Sequence, residues 1–217
     1  MSPFESLLQA AVSLVVPPAC WSCRGPATAG EPLCGSCGAM LPWLEPRAPL
    51  PARSVLRAAW APLAYEGVAR NLVHALKFAG AAGIAPAMAG HACDALPPRA
   101  FPDGAALVPV PADPARRRRR GFDHAEALAG ALAALTGLEV ARPLERLRAS
   151  RSRQRGLGRA GRLAGEGISV RPRRPAPPAC VLVDDVLTTG ATAAACAGAL
   201  AGAGARDVVF VAYCRVL

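Results

Sequence analysis

Residues 180–192 read CVLVDDVLTTGAT. Four apolar residues lead into two adjacent carboxylates, Asp184 and Asp185. A turn of Thr188, Thr189 and Gly190 follows, and then a run of small helix formers from Ala191. That order predicts a buried strand, an anion-binding loop and a helix. A strand apolar on both faces must be covered on both faces, which is the situation of a parallel sheet flanked by helices. The turn then falls at the carboxyl edge of that sheet, where such folds bind ligands. The donors suit a phosphorylated sugar. Backbone N–H groups and hydroxyls from Thr188, Thr189, Gly190, Ala191 and Thr192 would lie at a helix N-terminus, where unpaired donors and the dipole favour an anion. Asp184 and Asp185, expected at the strand tip, would accept hydrogen bonds from ribose hydroxyls or hold Mg²⁺, a hard ion that prefers oxygen.

Competing uses of the same parts fit less well. A P-loop requires Gly-Lys-Ser/Thr, and this turn has no Lys. A dinucleotide site requires GxGxxG after a first strand, whereas this turn is rich in Thr and lies near the C-terminus. Helix capping alone explains Thr and Gly but not the two carboxylates before them.

A second cluster lies upstream. Cys20, Cys23, Cys34 and Cys37 form two CxxC pairs separated by ten residues. Two such knuckles can close a tetrahedral sulfur site around Zn²⁺. Four thiolates leave no open coordination position, so the metal would be structural. Two disulfides are the alternative, disfavoured in a reducing compartment. Cys93, Cys180, Cys196 and Cys214 stand singly in apolar surroundings and are expected to be buried thiols.

The chain of 217 residues accommodates a small module and one α/β domain, divided here as 1–50 and 51–217. No apolar run reaches the roughly 18 residues of a membrane span. The apolar stretch 7–16 lacks a basic flank and a cleavage site, so it is expected to pack as a helix, and the chain to be cytoplasmic. Net charge is +10, carried by 24 Arg and a single Lys, Lys77. This balance favours phosphate-bearing partners. Nucleic-acid bases have little to stack on, because only 5% of residues are aromatic.

Prolines 42, 46, 49 and 51 predict a linker of limited flexibility. Strands are expected at 55–65, 105–110, 180–183 and 208–216. Helices are expected at 67–78, 84–96, 123–136 and 191–203, the first with Ala69, Leu72, Val73 and Leu76 on its apolar stripe. The segment 142–162, with eight Arg, is expected to be a loop or hairpin. Strands alternating with helices imply a mostly parallel sheet. The strand at 105–110 runs into a segment ending Arg120-Gly121-Phe122, on the same sheet edge as the 188–192 turn. There a guanidinium beside a glycine suits an anion.

Taken together, these motifs resemble those of the ComF/GntX family. The resemblance rests on the four cysteines, Tyr65-Glu66-Gly67, Lys77-Phe78-Ala79-Gly80 and Val108-Pro109-Val110-Pro111. It rests also on Arg120-Gly121-Phe122-Asp123-His124-Ala125-Glu126, on Gln154, Leu157 and Arg162, and on Asp184 through Thr192. Members of that family are phosphoribosyltransferase-like proteins with an N-terminal zinc module, associated with competence for DNA uptake. The resemblance implies a type I phosphoribosyltransferase-like fold with a zinc ribbon. It implies binding of 5-phosphoribosyl 1-diphosphate (PRPP) with Mg²⁺ through Lys77, Arg120, Gly121, Asp184, Asp185 and the loop 188–192. It implies, further, a flexible hood carrying Gln154 and Arg162. Asp184, Asp185 and Arg120 would be the catalytic groups if pyrophosphate is displaced. The alternative is a non-catalytic adaptor that holds single-stranded DNA on its basic loops and zinc module. The family usually has Asn-Gln where this chain has Asp123 and His124. Asp123 can cap the helix, but His124 cannot donate the same amide hydrogen bonds.

Overall fold

The structure, a computed structural model, describes residues 19–28, 30–48, 56–78, 83–115, 118, 121–147 and 168–217. Its centre is a twin of long strands, β7 (Ala179–Leu187) and β8 (Asp207–Arg215), paired in parallel over almost their full length. The flanking strands are β1 (Arg47–Ala48), β2 (Leu56–Trp60), β3 (Leu63–Ala64) and β4 (Ala106–Pro109), and the sheet runs β1-β2-β8-β7-β4 with β3 also on β8. All pairings except β1 with β2 are parallel. Beyond β4, residues 139–141 extend the edge through Leu107 N–H to Glu139 O and Ala141 N–H to Leu107 O.

The alternation of side chains along the central pair explains why both faces are covered. Val181, Val183, Val209, Val211 and Tyr213 face one buried cluster, with Leu72, Met88 and Leu128. These come from helices α2 (Gly67–Phe78), α3 (Ile84–Ala95) and α4 (His124–Thr136). Cys180, Leu182, Val208 and Phe210 face the other cluster, with Ala193, Cys196 and Leu200 of helix α5 (Ala191–Gly202). Ala69, Leu72, Val73 and Leu76, the expected stripe, are all fully buried. Asp123 caps α4, its carboxylate accepting from the N–H groups of Ala125 and Glu126, and Gly137 ends the helix with φ 73°. The region around 142–162 begins with a hairpin base, β5 (Leu144–Arg146) antiparallel to β6 (Val170–Pro172).

Three expectations are corrected. The strand expected at 55–65 is broken into β2 and β3, because Pro62 has no N–H for the ladder. The proline-rich segment, expected as a linker, contributes a sheet edge in its described part. Arg47 pairs with Trp60 and Ala48 with Ala59, while Leu44 N–H donates to Pro62 O; prolines are tolerated at such an edge. Arg215 clamps the segment, donating to Arg47 O at 2.6 Å and Glu45 O at 3.1 Å. Finally, β7 does not stop at the carboxylates. It continues to Leu187, since β8 is equally long and offers Cys214 and Arg215 as partners for Val186 and Leu187.

The cysteine-rich region, which includes the short helix α1 (Gly35–Ala39), is not a separate bead. Cys20, Cys37 and Leu41 lie in the same buried cluster as Leu72 and Tyr213. Asn71 of α2 donates to Ser22 Oγ at 3.1 Å. Among the described residues, no helix is long and apolar enough to cross a membrane.

Candidate ligand and metal sites

β4 and β7 are adjacent and parallel, so the segments leaving their carboxyl ends emerge side by side. They share a cavity of about 530 Å³. From β7 come Asp184 and Asp185, from the turn after it Thr188, and from the start of α5 Thr192. The segment after β4 adds Asp113, Phe122 and His124. Helix α2 adds His74 and Lys77.

The two carboxylates differ in environment. The Asp185 side chain is 5% exposed, and its Oδ2 lies 2.7 Å from Lys77 Nζ. That oxygen is buried and receives no aligned hydrogen bond; cationic charge is what meets it. His124 Nε2 is 3.7 Å from the same oxygen. Asp184 is half-buried, and its Oδ1 accepts the Asp185 N–H at 2.9 Å. Burial, followed by the negative charge of Asp185, pushes the Asp184 carboxyl well above its ordinary value. An arriving cation would reverse that shift. His124, Asp184 and Asp185 each bring a potential ligand atom within 4.8 Å of the others.

The loop after β7 turns through Gly190, whose φ of 75° is the left-handed conformation that a Cβ disfavours. Thr189 Oγ1 accepts the Ala191 N–H at 3.4 Å. The N-cap residue, Gly190, has no side chain to cap α5, so beyond the long Ala191 contact the first turn keeps N–H groups for solvent or a ligand. Thr188 and Thr192 line the cavity; Thr189, Gly190 and Ala191 form the turn behind them. Gly121 lines a neighbouring cavity instead. Arg120, Gln154 and Arg162 lie outside the described residues.

Lys77 is the only Lys in the chain, and it stands in the cavity, 23% exposed, against a buried carboxylate. A compact ammonium on a flexible stem fits that position better than a planar fork. Sequence reasoning passed over His74, which shares a hydrogen bond of 3.2 Å with the Tyr65 hydroxyl. Its spacing of three residues from Lys77 on one helix was the available signal. Arg146, one of the eight arginines of 142–162 and not distinguished from the rest by sequence, reaches the cavity from the hairpin base.

The second site is the cysteine cluster. Each sulfur of Cys20, Cys23, Cys34 and Cys37 lies within 4.8 Å of the others, close enough to hold one metal ion. Cys23 and Cys34 sulfurs are 3.8 Å apart. A tetrahedron with Zn–S bonds of about 2.3 Å has edges of about 3.8 Å. All eight cysteines are free thiols. Burial opposes ionisation of Cys20, but N–H groups of Cys23, Cys34 and Ser22 draw its thiol down to about 6. Arg24, with φ 64°, carries the sharp turn of the first knuckle. Cys180 and Cys196 are buried, and burial pushes their thiols up to about 11 and about 12. They stay protonated near neutrality and act as packing groups. Cys214 is likewise buried, whereas Cys93 is only half-buried.

No protein-family model matches this chain, and no curated protein matches it in sequence.

Proposed function

We propose that the protein binds PRPP, with a divalent cation such as Mg²⁺, in the cavity between the β4 and β7 ends, as a phosphoribosyltransferase-like member of the ComF/GntX family. The observation that carries this reading is the convergence there of an uncapped helix N-terminus, two hydroxyl side chains and a carboxylate pair. The 5′-phosphate suits the first turn of α5, with Thr188 and Thr192 as donors. Asp184 suits the ribose hydroxyls or the cation. Asp185, tied to Lys77, holds the ammonium in place for the anionic end of the ligand. His124, Asp184 and Asp185 fit a hard or borderline dication by their donor atoms. A cation bound there would supply charge neutralisation for the leaving group.

In transfer, the acceptor's lone pair forms a bond to ribose C1 while the C1–O bond breaks, and its electron pair leaves with pyrophosphate. Asp184 faces the sugar, where positive charge gathers, and Lys77 faces the departing anion. The cysteine cluster is read as a structural Zn²⁺ site, since four thiolates leave no open position. The competing adaptor reading draws on the exposed Arg173 and Arg174 beside the hairpin.

Calorimetric titration with PRPP, with and without Mg²⁺, tests the proposal. It expects one site per chain that needs Mg²⁺ and is lost in a Thr188→Ala/Thr192→Ala double variant. Binding of single-stranded DNA with a steep salt slope, and none of PRPP, would favour the adaptor.

A further inference from the structure

The cavity that takes the phosphosugar in this proposal has a larger neighbour of about 860 Å³. Val110, Pro111, Ala112 and Arg146 line both. The charges on the neighbour's wall do not balance. Its three acids are committed elsewhere. Arg142 holds Glu126 in a two-pronged pair at 2.6 and 2.8 Å. Arg171 holds Glu145. The Asp123 carboxylate caps α4. Arg118, Arg146 and Arg173 remain, and no acid among the described residues pairs with them.

Arg146 carries the argument furthest. Leu144 is 6% exposed and buried in the core on the α5 side. Arg146, two residues on, projects from the same face of β5, so packing of the hairpin base fixes where its guanidinium goes. It is half-buried. A guanidinium partly withdrawn from water without a carboxylate opposite is costly, and an anion offsets that cost. Arg173 is held close by its own N–H, which donates to Pro143 O at 2.8 Å.

We infer that this second cavity binds an anionic group, a phosphate or a carboxylate, of the acceptor molecule, with Arg146 at the wall between acceptor and phosphosugar. The inference rests on the proposed PRPP reading and adds the chemical class of the second substrate. An acceptor anchored by its anion on Arg118, Arg146 and Arg173 can extend past the shared wall toward ribose C1. The same arginines select against neutral acceptors.

The test is calorimetry on the full chain already saturated with PRPP and Mg²⁺. The probes are phenyl phosphate, benzoate and neutral benzamide, the first two separating the phosphate from the carboxylate source. The expected result is that one of the two anions binds once per chain and benzamide does not. Arg146→Gln and Arg173→Gln each weaken that anion about tenfold or more. In Arg173→Gln the PRPP affinity changes by less than about twofold, which separates a local loss from misfolding. Binding of phenyl phosphate to a ribose 5-phosphate complex but not to the PRPP complex would assign the cavity to PRPP's own pyrophosphate and overturn the inference. Equal binding of benzamide, or no effect of Arg173→Gln, would also overturn it. If PRPP itself does not bind, the underlying reading fails; if PRPP binds and neither anion does, this inference fails alone.

Discussion

Asp184 and Asp185 are neighbours in sequence with opposite energetic roles. The native state keeps the Asp184 proton to a higher pH than the unfolded chain does, because burial and Asp185 raise its pKa above the ordinary 3.8. The native state therefore binds more protons in that window, and stability falls as pH rises through it. Asp184→Asn removes the ionisation while an amide oxygen can still accept the Asp185 N–H. The expected outcome is a higher Tm at neutral pH than wild type, a smaller loss of Tm between pH 4 and pH 7, and weaker Mg²⁺-dependent PRPP binding. Thermal scans across that range check the first two. Asp185→Asn has the reverse sign. It leaves the Lys77 ammonium without its carboxylate, a change that costs about 3–5 kcal/mol when both partners are fully buried. Because Lys77 is 23% exposed, about 2–3 kcal/mol is expected on that scale. Urea denaturation measures it, and a variant as stable as wild type would show the pair to be energetically idle. The sequence disclosed both carboxylates, but not this division. It depends on Lys77, which lies more than a hundred residues away, and pairings at that separation leave no local signature.

At the scale of elements, periodicity and capping were sufficient for α2 to α5, whose stripes and ends follow from side-chain spacing, Asp123 and Gly137. Strands were less legible. Residues 44–48 look like part of a linker because prolines 42, 46, 49 and 51 punctuate and flank them; only the partner, β2, makes them an edge. The carboxyl end of β7 was placed short for a related reason: the length of β8 decides it. The cysteine knuckles were readable from spacing alone, but their integration was not. Since Cys20, Cys37 and Leu41 belong to the main core, losing the metal should reach beyond the knuckles. Elemental analysis is expected to find one zinc per chain, and Cys34→Ser is expected to abolish it. The substitution should also lower the Tm of the whole protein, because metal binding there is coupled to folding. Zinc content unchanged by Cys34→Ser would remove that cysteine from the ligand set. A cluster recovered as two disulfides in freshly purified protein would refute the site.

At the scale of the molecule, the cavity follows from strand order. β4 and β7 are neighbours, so two segments some seventy residues apart in sequence deliver their side chains to one cavity. The motif at 180–192 disclosed one wall of it, and the Val-Pro-Val-Pro strand suggested the second. Tyr65, His74 and Arg146 come from elements with no phosphate-binding pattern of their own, and only packing brings them in. The proposed phosphosugar site is open to a direct check in a crystal soaked with PRPP and Mg²⁺. The expected result is the 5′-phosphate at the first turn of α5, within about 3 Å of the Thr188 and Thr192 hydroxyls, with the ribose beside Asp184. Density for the phosphate elsewhere on the protein, or none at saturating ligand, would contradict it.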